Sequence, residues 1–374
     1  MGYDSVDKLQ NLLASEVFHY TNDTKKAAGR ALGTFVEIIS YYIIKTWNLE
    51  TFTTIERPLP EFANKEITHN VEFALHGSRL ITTNNIKNED NPLSCKKLVH
   101  KYLNKYNDIV SKNGMVIDKN NVIKNAFILS SNDESIFTCY VDSSDDSFKI
   151  YELKKEPFAM FECKRVGVEE GMRKGPQTIE KAKQGSYVAR TVSSLQRIRY
   201  NDGSLGGIIQ KHDGKFIIKD YYTLLDEIIN SSNTQYLRNF ILTVGIISNH
   251  GNWFTSENQN KELKVLAQSY DWLIFLTDKG IGEFITDLLI KPKKENLPIK
   301  EAFNRSYNEN KKGNVFTKVK MDYSADVALM NYFTKNEEKI KKWFNIITPK
   351  NRDLNELKKE LFLLSEKKWW EIYQ

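Results

Sequence analysis

Two short apolar segments in the second half of the chain constrain its fold most. Residues 240–248 are apolar almost throughout, and residues 271–277 repeat this composition after a stretch of helical periodicity at 260–269. Runs of this length and composition are typical of buried strands. The pattern predicts an α/β fold with a mixed sheet flanked by helices.

The sequence before these segments predicts an antiparallel meander. Three strands are expected at 136–141, 148–153 and 158–166, because β-branched and aromatic residues cluster there. Turns are expected at 142–147 and 154–157, where Asp, Ser, Lys and Pro replace them. A basic loop at 167–176 then leads to a helix predicted from about 177 to 199, which gives the order βββαβαβ.

The flanking sequence is expected to add to this core. Residues 24–46 contain no proline and are apolar almost all round, which predicts a long, largely buried helix. We therefore expect three segments. They are a helical and mixed segment at 1–132 that could carry recognition elements, the core at 133–290, and a mainly helical segment at 291–374.

Cysteine usage and hydropathy bear on the compartment. The three cysteines cannot form a disulfide framework and have no C-x-x-C spacing, which favours a reducing environment and no structural zinc. No apolar run approaches the roughly 20 residues that span a bilayer, and the first residues do not have the pattern of a signal peptide. We expect a soluble cytoplasmic protein that does not bind membranes.

A carboxylate and an amine lie together in the third predicted strand. Glu162 and Lys164 are two residues apart, so they share one face of the strand while Cys163 points to the other. Hydrolysis of a phosphodiester needs a divalent cation held by carboxylate oxygens, and a group that positions the attacking water and neutralises charge. Glu-x-Lys occurs seven times in this chain, but only this copy closes the meander and precedes a basic loop and a helix.

A second metal-binding acid is expected on the neighbouring strand. With the turn centred near Glu156, Asp146 lies on the same face as Glu162, from which it is 16 residues distant in sequence. A register shift of one residue selects Asp145 instead, and a turn centred on Pro157 selects Glu152. A further interpretation is that the acids near 145 only form a polar turn.

These residues resemble the PD-(D/E)XK nucleases, especially type II restriction endonucleases, over about residues 135–280. The shared core of that family has an acid at the start of one strand and Glu-x-Lys on the antiparallel neighbour. The resemblance implies that Asp146 and Glu162 bind Mg²⁺ and that Lys164 positions the attacking water. Many of these enzymes carry an acid on an early helix, a place that Glu37 would take as a further ligand; the alternative for Glu37 is an ion pair, for example with Arg30.

A basic stretch follows the predicted metal site. Residues 164–200 contain nine Lys and Arg against three Glu, an excess that equals the net charge of +6 of the whole chain. We expect this stretch to contact the phosphates of double-stranded DNA, with a solvated basic helix as the alternative. The side chains expected to bind DNA are Arg165, Arg173, Lys174, Lys181, Lys183 and Arg190.

Two polar residues of the predicted helix suggest a further role. Gln184 and Tyr187 lie one turn apart and are similar to a Gln and Tyr pair in the recombination-type nucleases of the same superfamily. Gln184 would orient a phosphate or the attacking water, or it is an ordinary surface residue.

The resemblance implies a Mg²⁺-dependent restriction endonuclease that cleaves double-stranded DNA at a specific sequence. It also implies a homodimer and a partner DNA methyltransferase in the same system. Two other functions stay open: a repair or defence nuclease that recognises a DNA structure or end, and a DNA-binding module without catalysis.

Overall fold

The computed structural model describes residues 10–11, 13–15, 18, 24–57, 70–86, 92–166, 195–210, 215–230, 241–249, 270–307 and 314–367. Within these ranges the chain has a mixed α/β fold with one large mixed sheet and two smaller sheets. None of the helices described is both long and apolar enough to cross a membrane.

Strands from distant parts of the sequence make up the three sheets. In chain order they are β1 (Thr53–Arg57), β2 (Val71–Asn85), β3 (Leu93–Ser94), β4 (Val110–Ser111), β5 (Met115–Ile117), β6 (Val122–Lys124), β7 (Phe127–Ser131), β8 (Ser135–Asp142), β9 (Ser147–Val166), β10 (Leu195–Arg199), β11 (Leu205–Gln210), β12 (Phe216–Asp220), β13 (Leu242–Asn249), β14 (Trp272–Leu276), β15 (Lys320–Asp322) and β16 (Phe344–Thr348).

Helices precede, separate and follow these strands. In chain order they are α1 (Thr24–Thr46), α2 (Cys95–Tyr102), α3 (Tyr221–Asn230), α4 (Asp278–Ile285), α5 (Leu297–Tyr307), α6 (Tyr323–Lys335), α7 (Glu337–Lys341) and α8 (Leu354–Glu366). The bounds of α1 confirm the long helix predicted at 24–46. Its residues Leu32, Phe35, Ile39 and Tyr42 are buried in the main hydrophobic core, together with residues of α4, α5 and α6.

The central strand β9 confirms the first hairpin of the predicted meander, which β8 and β9 form through the turn after Asp142, and shows that the second hairpin is wrong. Residues 147–166 form one strand of 20 residues, with no turn at 154–157. On one side, its pairing with β8 ends at Lys154 and its pairing with β13 begins at Ala159. Pro157 lies in this gap and opposite a bulge of β2 at His76, which is a position where a residue without an N–H is tolerated in a sheet.

The main sheet combines parallel and antiparallel pairs around β9. Along its other side β9 pairs with β2, antiparallel and over most of its length. β13 runs parallel to β9, β14 runs parallel to β13, and β16 pairs antiparallel with β14. β13 and β14 confirm the two buried strands predicted from the apolar segments. β1 and β2 from the segment 1–132, and β16 from the segment 291–374, belong to the same sheet.

The helix predicted from about 177 to 199 is wrong at its carboxyl end. Residues 195–199 form β10, which pairs antiparallel with β11 through a turn that contains Gly203 with a φ of 86°. The sequence Asn-Asp-Gly at 201–203 is a hairpin signal that accounts for this turn. The remainder of that predicted helix, and the one predicted at 260–269, lie outside the described residues.

Candidate active site at the end of the central strand

Glu162 and Lys164 lie together near the carboxyl end of β9. The Lys164 Nζ is 2.7 Å from the Glu162 Oε1. Glu162 is buried, with 1% of its surface exposed, whereas the Lys164 side chain is 22% exposed. The strand therefore presents a buried carboxylate and an ammonium group that reaches the surface, as the spacing predicts. Cys163 packs into the main core, as expected from its alternation with these two residues.

A second buried carboxylate, Glu72, lies beside Glu162 on β2. The register pairs Phe73 with Phe161, which puts Glu72 next to Glu162 on the adjacent strand. The backbone N–H of Glu72 donates a hydrogen bond of 3.4 Å to the Glu162 Oε2. Glu72 is only 6% exposed. Two acids thus lie side by side in the interior, an arrangement that like-charge repulsion opposes unless cations compensate it.

Such a cation is present in Lys318, which is 4% exposed and joins three carboxylates. Its Nζ lies 3.0 Å from the Glu37 Oε2 and 2.9 Å from the Glu56 Oε1, and it also forms an ion pair with the Glu72 Oε1. We refer to Glu37, Glu56, Glu72 and Glu162, with Lys164 and Lys318, as the carboxylate cluster.

Four segments of the chain supply the carboxylates of this cluster. α1 carries Glu37, β1 carries Glu56, β2 carries Glu72 and β9 carries Glu162. In β1 the register pairs Ile55 with Phe73 and Arg57 with Val71, so Glu56 lies on the far side of β2 from Glu162. Glu56 has a φ of 50°, a left-handed conformation that is unfavourable for a non-glycine residue and is often found at functional sites.

The chemistry of the cluster fits a hard divalent cation. Carboxylate oxygens are the ligands that Mg²⁺ prefers, and Glu72 and Glu162 present them from adjacent strands. No group of three or more His, Cys, Asp and Glu residues forms a ready-made metal site in the described ranges. In this structure the carboxylates are instead in contact with Lys164 and Lys318.

Asp146 does not lie at this site, so the prediction that it is the first metal-binding acid is wrong. It is exposed in the turn between β8 and β9, with a φ of 47°, and its Oδ1 accepts a hydrogen bond of 2.6 Å from the Tyr323 hydroxyl. Asp146 and Glu162 are at opposite ends of β9, a contour length of roughly 50 Å. The prediction failed because it assumed a hairpin at Glu156, whereas β9 continues through that position.

The two alternative acids also lie away from Glu162. Asp145 is exposed in the same turn as Asp146. Glu152 pairs with Arg79 on β2 and accepts a hydrogen bond of 2.7 Å from the Ser135 hydroxyl. It lies in the half of β9 that pairs with β8, where it pairs with Phe137.

The structure does bring the predicted Glu37 to the cluster, through its ion pair with Lys318 rather than with Arg30. Arg165 lies on β9 opposite Ser248, and its side chain is outside the described part of the structure. The other predicted contacts lie outside the described residues altogether: Arg173, Lys174, Lys181, Lys183, Gln184 and Arg190.

A buried ion pair connects the carboxyl-terminal part of α1, after Glu37, to the rest of the core. The Lys45 Nζ donates to the Asp326 Oδ2 at 2.7 Å, and Asp326 is fully buried. The hydroxyls of Tyr42 and Ser143 also donate to this carboxylate, each at 2.5 Å. Asp326 lies on α6, so these bonds connect α1 with α6 and with the turn after β8. Nearby, burial raises the pKa of Glu50 to about 7.

Three members of the cluster were missed by the sequence analysis: Glu56, Glu72 and Lys318. A signal for Glu72 exists, since it is the only charged residue in the apolar segment 71–75. Glu37 shares this signal, since it is the only charged residue between Leu32 and Ile44. Lys318 gives no comparable signal, because the sequence does not distinguish it from the exposed Lys320 two residues later. No family model, curated protein or solved structure matches the chain at a significant level.

Proposed function

We propose that the protein is a Mg²⁺-dependent type II restriction endonuclease that cleaves double-stranded DNA at a specific sequence. The observation that carries this proposal is the juxtaposition of Glu72 with Glu162 and Lys164 on adjacent strands. In this proposal Glu72 takes the role of the first acid, which the sequence analysis had given to Asp146. The order of elements supports it as well, because the acid lies at the start of β2 and Glu-x-Lys lies on the antiparallel neighbour β9.

The finer fold we infer is a restriction-endonuclease-like core made of α1, β1, β2, the carboxyl half of β9, β13 and β14. In this arrangement the residues 86–146 form an insertion between the two strands that carry the acids. The resemblance to PD-(D/E)XK nucleases then extends to β2, with Glu in place of the Asp found in that family. The homodimer and the partner methyltransferase are expectations carried over from the resemblance.

Three groups of the site have a role in this mechanism. Glu72 and Glu162 would hold the metal ion, which when bound polarises the phosphate and lowers the pKa of a water molecule. Lys164 is held by Glu162 at 2.7 Å and reaches the surface. It can therefore orient the attacking water beside the phosphate and neutralise the charge that develops there. Glu162 thus serves both the ion and the lysine.

DNA would bind on the side where Lys164 is exposed. The basic stretch 164–200 begins at this residue and carries the charge excess of the whole chain. We propose that its Lys and Arg side chains contact phosphates, since such contacts supply most of the sequence-independent affinity for DNA. The partial exposure of Lys164 supports an approach of the phosphate backbone from that direction.

Cleavage of a long plasmid with Mg²⁺ tests the proposal. We expect Glu72→Gln and Glu162→Gln to reduce the cleavage rate by about a thousandfold, because a lost metal ligand removes several kcal/mol of transition-state stabilisation. Asp146→Asn is the matched control and should cut like the parent chain. Discrete fragments indicate sequence specificity, whereas a smear or resected ends indicate the repair or defence nuclease.

Two results would contradict the proposal. One is unchanged cleavage by Glu72→Gln together with inactivity of Asp146→Asn, which would return the first acid to the turn before β9. The other is salt-sensitive DNA binding without cutting under any divalent ion, which would leave only a binding module.

A further inference from the structure

The most unusual member of the carboxylate cluster is Lys318. A lysine is rarely as buried as this one unless it is paired, and its ammonium contacts Glu37, Glu56 and Glu72 at once. Three carboxylates from three different elements thus share this one ammonium group. Lys318 therefore occupies the place of a cation among the acids.

Carboxylates outnumber ammonium groups among the described side chains of the cluster. Its four carboxylates meet the ammonium groups of Lys164 and Lys318. Glu72 and Glu162 are buried, and a buried carboxylate needs a positive partner, which can be an ammonium group or a metal ion.

The backbone of Lys318 is fixed, so the side chain alone has to move. The Asn125 side-chain amide donates to the Lys318 carbonyl at 2.9 Å, and the Asn125 backbone N–H donates to the next carbonyl, that of Val319, at 2.9 Å. The turn is closed further by the Thr317 N–H, which donates to the Lys320 carbonyl at 2.8 Å. The four-carbon stem of the lysine, in contrast, has freely rotatable bonds.

We propose that the Lys318 ammonium is the resident cation of the cluster and competes with the divalent ion for Glu72. When the ion binds between Glu72 and Glu162, the ammonium leaves Glu72 and keeps its contacts with Glu37 and Glu56. Lys318 thereby holds the acids together without metal and weakens metal binding. This inference rests on the proposed function for the identity of the metal site.

Calorimetric titration of the full-length protein with Ca²⁺ and with Mg²⁺, without DNA, tests the competition. We expect Lys318→Met to bind each ion at least tenfold more tightly than the parent chain. Lys320→Met is the matched control, because Lys320 is exposed two residues further on, and its affinity should be unchanged. Glu72→Gln should lose the binding.

Loss of the buried ammonium leaves three carboxylates less well paired, so Lys318→Met should melt at a lower temperature than the parent without metal. Its melting temperature should then rise more steeply with added Ca²⁺ than that of the parent, because the ion replaces the missing charge. Lys318→Gln, whose amide can still donate to a carboxylate, provides a second variant in case the methionine variant does not fold.

Equal or weaker ion affinity in both Lys318 variants would overturn the competition, and would mean that the lysine organises the site for the metal instead. In that case the proposed nuclease stands if Glu72→Gln still abolishes both ion binding and cleavage. If the parent chain and all variants fail to bind either ion, the competition and the metal site are both wrong.

Discussion

The buried ion pair between Lys45 and Asp326 offers the most direct test of how α1 is held in place. Asp326 is fully buried and Lys45 is 5% exposed, so water cannot replace either partner. Lys45 lies about two turns after Glu37 on the same helix, roughly 12 Å along its axis. Replacement of Lys45 by Met removes the charge and keeps most of the volume of the stem.

The expected loss follows from what remains around Asp326. In Lys45→Met the carboxylate keeps the hydroxyl donors of Tyr42 and Ser143 but loses Lys45, its cationic partner among the residues that the structure describes. Breaking a buried pair in this way typically destabilises a protein by about 3–5 kcal/mol. We therefore expect the free energy of unfolding to fall by about that amount, a large share of the roughly 5–15 kcal/mol typical of a folded domain.

Urea denaturation followed by circular dichroism measures this loss. The double variant Lys45→Met with Asp326→Asn should lose less than the sum of the two single variants, because the uncompensated charge is gone while an oxygen acceptor remains for Tyr42. A coupling energy of at least about 1.5 kcal/mol is expected for groups in direct contact.

A surface pair supplies the control. Lys219 and Glu227 are 2.6 Å apart but partly exposed, so Lys219→Met should change the stability by no more than about 1 kcal/mol. If Lys45→Met is as mild as this control, or if the losses at Lys45 and Asp326 simply add, the pair does not anchor α1 and the reasoning fails.

Three further substitutions test other parts of the fold. Between pH 4.5 and 7 the folded state keeps a proton on Glu50 that the unfolded chain releases, so stability should fall as the pH rises through this range. Glu50→Gln should remove that decline and gain up to about 3 kcal/mol at pH 8, measured by urea denaturation at each pH. Gly245→Ala would put a Cβ 2.8 Å from the Tyr270 ring and should lose about 1–3 kcal/mol in the same assay. In Gly33→Ala the added Cβ has no atom within 4 Å, so this variant should stabilise α1 by about 0.5–1 kcal/mol. A loss of stability would contradict the open space seen at this position.

Local patterns in the sequence were sufficient for several elements. The helix α1 and the strands β13 and β14 follow from apolar runs whose length and composition depend on nearby residues only. The pair of Glu162 and Lys164 follows from the alternation of side chains along one strand. The structure confirms these predictions. They could be made from the sequence because none of them required knowledge of a partner strand.

The first acid required a pairing that the sequence does not reveal. The prediction assumed that 158–166 folds back on 148–153, since Pro157 and the charged residues before it suggest a turn. In the structure the gap between β8 and β13, opposite a bulge of β2, accommodates Pro157 within a continuous strand. The antiparallel neighbour of Glu162 is then β2, whose Glu72 precedes it by about ninety residues in sequence. Spacing along the chain cannot identify such a partner.

A different criterion would have found the buried acids without any knowledge of pairing. Glu37, Glu72 and Glu162 are each the only charged residue within an apolar run, and an ionised carboxylate in such surroundings needs a compensating cation. Asp146 fails this criterion, because it follows Asp142 and Asp145 in a polar turn and its carboxylate is served by the Tyr323 hydroxyl at the surface. The cost of burying charge therefore selects the members of the cluster better than their spacing does. It also accounts for Lys318, whose ammonium compensates carboxylates that the sheet alone would leave facing one another.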